Sequence, residues 1–203
     1  TRWETLRLGV KPYPSCRYSH AAMDGLIALQ REHGFSADEV EAVEIGLPET
    51  GVKIIGQPAA AKAAPSNVVE GQFSMPFCAA VVLREGGLVW DDYAKHIGNP
   101  ETMTLCRRVT TVIDAQAQAA YPANMASAVR VRTKHGDYRT FVEVPKGEPD
   151  NFMDQSEFIE KFDGLCEPYL DAAQRSRLTD TILTLENSNN VAALCAMSWA
   201  EGA

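Results

Sequence analysis

The chain has 203 residues, 45% of them hydrophobic and 23% charged, which is enough for one domain or two small ones and ordinary for a globular protein. No apolar run approaches the ~20 residues that span a bilayer, and a net charge of −8 argues against nucleic acid as a partner. Five cysteines at 16, 78, 106, 166 and 195 show no C-x-x-C spacing, so they read as reduced cytoplasmic thiols rather than a disulfide frame or a zinc site.

No signal peptide is visible, but the chain begins at Thr1 rather than Met, so missing targeting signals carry little weight. The charge is uneven. Residues 1–20 carry a net +3 and residues 146–203 a net −7. One small basic entry on an acidic chain suits a small anionic ligand focused into a local positive pocket. That entry holds Lys11-Pro-Tyr-Pro-Ser-Cys-Arg-Tyr-Ser-His20. Pro12 and Pro14 fix φ near about −65° and push the residues before them, Lys11 and Tyr13, toward extended geometry. Ser19 is placed to cap a helix over 19–33, with Ala22, Met23, Leu26, Ile27 and Leu29 on its inner side and Gly34 as its stop.

Val43, Ile45 and Leu47 alternate with Glu44 and Gly46, which predicts a strand over 40–47 closed by Pro48. Residues 57–65 read as a loop with one helical turn. Asn67 begins a helix over 68–84, ended by Gly86-Gly87, in which Pro76 predicts a kink or break. Short helices are expected over 88–96 and 101–106, and a strand over 108–114. Two more strands, 128–134 and 138–144, flank His135-Gly136-Asp137, a hairpin signal. The strands are expected to form one sheet with helices 19–33 and 68–84 on one face. Pro145–Asn151 reads as a turn-rich linker, and 156–165, 171–185 and 190–200 read as helices. The fold class is therefore α+β over 1–145, followed by a helical segment over 146–203.

Three stretches carry a resemblance. Residues 11–20 resemble the K-P-Y-P-[SC]-C-R-Y-[ST]-H segment of the MmgE/PrpD family. Glu70-Gly71-Gln72-Phe73-Ser74-Met75-Pro76-Phe77 is similar to its Q-F-S-x-x-Y helix, and Val144-Pro145-Lys146-Gly147-Glu148-Pro149-Asp150-Asn151 to its P-x-G-x-P-x-N-P turn. That family includes 2-methylcitrate dehydratases, cis-aconitate decarboxylases and iminodisuccinate epimerases. The resemblance implies a lid-type α+β domain with an antiparallel or mixed sheet, followed by helices that belong to an all-helical domain. The larger N-terminal helical half of such proteins has no counterpart in these residues. The resemblance implies a cofactor-independent lyase or isomerase that takes a proton from carbon next to a carboxylate of a small di- or tricarboxylate.

Within that frame Lys11 is expected to bind a substrate carboxylate or stabilise the enolate, and His20 to act as acid, base or donor. Arg17 offers a planar fork for a carboxylate, or else pairs with an acidic neighbour. Tyr13 either packs or binds, and Ser74 lies on the second matching stretch. Phe77 stands where the family often has tyrosine, which removes a hydroxyl from the pocket. Cys16 reads as a small buried hydrophobe. His33 and His96 are expected at helix ends and His135 in a solvated turn. No two histidines have metal-ligand spacing on one helix, and no acidic cluster reads as a metal site, so neither a metal nor a cofactor is expected. The last helices carry Phe158, Phe162, Leu178, Ile182, Leu185, Leu194 and Trp199, more apolar surface than they can bury among themselves. A missing helical half or a second copy in a homodimer is the expected cover, and in this chain alone these side chains are expected to pack onto a second copy, fold back on the α+β piece or be poorly ordered. Without the base from that half, residues 1–203 alone are expected to be inactive. The alternative is a non-catalytic module that binds carboxylates or mediates assembly.

Overall fold

The computed structural model describes residues 3–199. The chain divides into two compact units with the boundary after Phe152.

The first unit is built on a four-stranded mixed sheet. Its strands are β1 (Val40–Leu47), β2 (Val109–Ile113), β3 (Ser127–Thr133) and β4 (Asp137–Val142), in the order β2-β1-β3-β4. β1 pairs parallel with β2 and antiparallel with β3, with Val43 opposite Val109 and Val131. The alternation read in the sequence places Val43, Ile45, Val129 and Val131 on the buried face. The hairpin β3–β4 is present. Thr133 closes its turn, accepting from the backbone N–H groups of His135 and Gly136.

α1 (His20–His33) lies against β3 and β4, and buries Ala22, Met23, Leu26 and Leu29. A Cβ on Gly25 would stand 2.8 Å from a Val129 methyl, so glycine lets the helix approach the sheet there. Gly34 ends α1 at φ 68°, as its position predicts. The start differs from expectation. A 3-10 turn over Arg17–Ser19 runs directly into α1, so Ser19 already has near-helical dihedrals. Its hydroxyl caps nothing and instead donates to the Cys16 carbonyl at 2.7 Å.

After β1 come two short helical turns, α2 (Glu49–Gly51) and α3 (Ala59–Lys62). The helix expected over 68–84 is two helices, α4 (Val68–Gln72) and α5 (Met75–Glu85). The break falls just before Pro76, which sits in the first turn of α5 where its missing N–H costs nothing. α5 packs beside α1 and near β2, with Phe77, Val81 and Val82 in the shared core. α6 (Asp92–His96), α7 (Pro100–Cys106) and α8 (Ala115–Ala120) complete this unit. The stretch 145–151 is no linker. It belongs to the first unit, where Gly147 N–H donates to Asn151 O at 2.9 Å and Val10 N–H donates to Gly147 O at 2.8 Å.

The second unit holds α9 (Gln155–Cys166), α10 (Ala172–Leu183) and α11 (Val191–Met197). Asp154 with Glu157, and Asp171 with Gln174, form reciprocal capping boxes. Its burial is thin: Met153, Leu170 and Leu178 are the buried apolar residues among those described. Leu165, Tyr169, Ile182, Leu183, Leu185 and Val191 are exposed.

Candidate functional site

The three stretches singled out in the sequence converge in the first unit. The Lys11–His20 strip is held from one side by the 70–77 stretch. The Pro14 carbonyl accepts from Gln72 Nε2 at 3.1 Å and from the Tyr93 hydroxyl at 2.8 Å. Cys16 N–H donates to the Gln72 carbonyl at 2.9 Å. Gly71 permits this approach, since a Cβ there would stand 3.0 Å from the Tyr93 ring. Phe77 has no hydroxyl to offer and stacks on Tyr93 at 5.7 Å. Burial pushes the Tyr93 phenol up, so it stays protonated as a donor.

From the other side the 145–151 turn closes on the strip. Arg17 Nε lies 2.9 Å from Glu148 Oε1, and Arg17 Nη1 donates to Val10 O at 3.3 Å. The fork is thus engaged by an acidic neighbour, one of the two readings the sequence leaves open. Asp24, one turn after His20 on α1, ties the two segments together. Its Oδ1 accepts from the Tyr13 hydroxyl at 2.6 Å and its Oδ2 from Lys146 N–H at 2.7 Å. Asp24 and Glu148 do this binding without having been singled out in the sequence. The available signal for Asp24 was a carboxylate four residues after His20, on the same helix face.

The candidate residues fall into two groups. Lys11 is exposed, and its ammonium donates to the Ser15 carbonyl at 3.1 Å. Tyr13 packs edge-on to His20, with ring centroids 5.3 Å apart. His20 is fully buried at the start of α1. With Arg17 these four share one strip. Ser74 stands apart in role. It is fully buried as the cap of α5, accepting from Phe77 N–H at 3.0 Å and donating to Lys62 O. Behind the strip, Ser15 and Ser19 hydroxyls pair at 2.9 Å. Burial pushes the nearby Cys78 thiol up to about 12, so it is an inert core thiol. The strip thus carries an exposed cation, a buried imidazole and a phenol packed on that imidazole.

Residues 13–187 match the MmgE/PrpD C-terminal domain. The chain belongs to the MmgE/PrpD family. A cis-aconitate decarboxylase-like protein, oryM of Aspergillus oryzae, is 24% identical over 204 residues, covering 96% of this chain and 41% of that protein. The chain therefore spans about two fifths of the length of the relative it matches. In this MmgE/PrpD domain the 11–20 strip touches both other stretches, through Gln72 on one side and Glu148 on the other. His33 stacks on Tyr138 at 4.0 Å and His135 pairs with Glu39 at 2.9 Å, both away from the strip. Among the described residues no helix is long and apolar enough to cross a membrane.

Proposed function

We propose that this chain is the C-terminal part of a cofactor-independent enzyme acting on a small di- or tricarboxylate, in the manner of a 2-methylcitrate dehydratase or cis-aconitate decarboxylase. The observation that carries it is the convergence of three distant stretches around one strip bearing Lys11 and His20. In this reading a base removes the proton next to a carboxylate, and the electron pair moves onto that carboxylate as an enediolate. Lys11 stabilises the new charge and His20 holds or returns the proton. Arg17 and Tyr13 shape the substrate side through the Glu148 and Asp24 contacts, and Ser74, as the cap of α5, supports the stretch that holds the strip. Departure of hydroxide with a proton as water, return of the proton to carbon followed by loss of CO2 and protonation of the carbon it leaves, or reprotonation alone then completes the reaction. The oryM likeness favours a lyase.

The test is turnover of 2-methylcitrate, cis-aconitate and iminodisuccinate by the complete protein. Lys11→Ala is expected to lower kcat/KM on the accepted substrate about 100-fold, the loss of one preorganised charge. An unchanged rate and affinity would remove Lys11 from the site. Residues 1–203 alone should turn over none of the three. A second reading, a carboxylate-binding module without chemistry, draws on the engagement of Arg17 and Tyr13 by the chain's own carboxylates. Saturable binding by the complete protein with no product would select it.

The exposed apolar side chains of α9–α11 support an intracellular assembly partner, namely the helical half or a second copy. Sedimentation of residues 1–203 is expected to show self-association that disappears when the upstream half is supplied. A monomer at high concentration would count against this arrangement.

A further inference from the structure

We infer that Glu85, Asp92 and His96 form a binding site for one divalent transition-metal ion, separate from the strip. Glu85 is the last residue of α5, and Asp92 and His96 are the first and last of α6. One ligand atom from each lies within 4.8 Å of the others. An ion between them, at metal–ligand bonds of about 2.1 Å, would draw the three atoms together.

The histidine is the second, independent observation. Its side chain is 1% exposed. Nδ1 lies 2.8 Å from Thr102 Oγ1. That hydroxyl is itself directed at Asn99 Oδ1, at 3.4 Å, and Asn99 Oδ1 already accepts from two backbone N–H groups. Thr102 Oγ1 can accept from His96 Nδ1, and in that tautomer the imidazole proton sits on Nδ1. Nε2 then carries the lone pair. It sits 3.0 Å from Glu85 Oε1 but off the alignment that a hydrogen bond requires. A buried lone pair facing two carboxylates is repulsive by itself, and a cation at their centre reverses the sign of every contact.

The remaining oxygens are already spoken for in a way that suits this. Glu85 Oε2 receives Lys95 Nζ at 2.7 Å, and Asp92 Oδ2 receives Val89 N–H at 2.8 Å. These contacts engage one oxygen of each carboxylate and leave the other for an ion, and Thr102 holds the imidazole, as outer partners do around bound metals. One nitrogen and two oxygens favour Zn2+ and its transition-metal neighbours over Mg2+ or Ca2+. The ion would clamp the end of α5 to α6 across the Gly86–Gly87 turn.

Zinc titration of the chelator-treated full chain, followed by calorimetry and by imidazole 1H–15N NMR, tests this. The expected result is one equivalent bound, with the His96 Nε2 resonance shifted and Nδ1 still bearing its proton. Glu85→Gln, at a partly exposed helix end, and Asp92→Asn should each weaken binding ten-fold or more. No saturable binding, shifts at His33 or His135 in place of His96, or unchanged affinity in both variants would overturn it. The spectrum of the unsubstituted protein decides the histidine even where a variant fails to fold.

Discussion

Replacing Gly147 with alanine is expected to destabilise the first unit by about 3 kcal/mol or more, among the larger effects of a single substitution. Gly147 holds φ at 87°, which alone costs an L-residue roughly 1–2 kcal/mol. The added Cβ would also stand 1.9 Å from the Val10 carbonyl oxygen and 3.0 Å from Pro12 Cδ. Neither neighbour is the end of a flexible side chain, so the turn itself must move. Moving it breaks the Val10–Gly147 hydrogen bond and pulls Glu148 off Arg17. Gly34→Ala is the control. It has φ 68° with nothing within 4 Å of its Cβ, and should cost only the dihedral strain of about 1 kcal/mol. Urea melts of both variants separate strain from collision. Equal costs would show that the turn does not rest on the strip.

Asp24→Ala should cost about 3 kcal/mol, the second large effect. The carboxylate accepts two short hydrogen bonds, from Tyr13 and from Lys146 N–H, and bonds to a charged acceptor are worth roughly 1.5–3 kcal/mol each before water replaces them. Tyr13→Phe should cost about half as much, and the double variant should fall short of the sum, because the two groups share one bond. In the complete protein Asp24→Ala should also lower turnover, since the Tyr13 ring that it holds packs edge-on to His20. A stability within about 0.5 kcal/mol of the parent chain would show that the turn and the strip are held together elsewhere.

Local patterns were readable and distant pairings were not. The alternation at Val43, Ile45 and Leu47 marks β1 because its apolar face meets α1 and α5. Pro76 marks the α4–α5 break because proline fits only the first turn of a helix. Alternation is silent on partners, so the parallel pairing of β1 with β2 came only from the structure. The 145–151 stretch looks like a linker because the bonds that anchor it, to Val10, Arg17 and Asp24, reach residues more than a hundred positions away. For the same reason Arg17 could be read as a free fork or a paired one until Glu148 was seen beside it. α8 was missed, since Ala115–Ala120 has little apolar contrast, although Asp114 caps it. The metal-binding candidate is not legible as a histidine pair or an acidic cluster, because it mixes one histidine with two carboxylates from two helices. Asp92 and His96 stand four apart on one helix, and Glu85 joins them through a turn.

The seams between the three stretches run largely through main-chain atoms. Pro14 O, Gln72 O, Cys16 N, Val10 N and Gly147 O do the joining, and none depends on which side chain its residue carries. The side chains of Gln72, Arg17, Glu148 and Asp24 add identity-dependent joints, and Gly147 and Gly71 are fixed by the space they leave. Such a scaffold tolerates change at the exposed Lys11 without losing its frame. Natural selection can then explore new substrates at that position one substitution at a time, while the frame stays folded at every step.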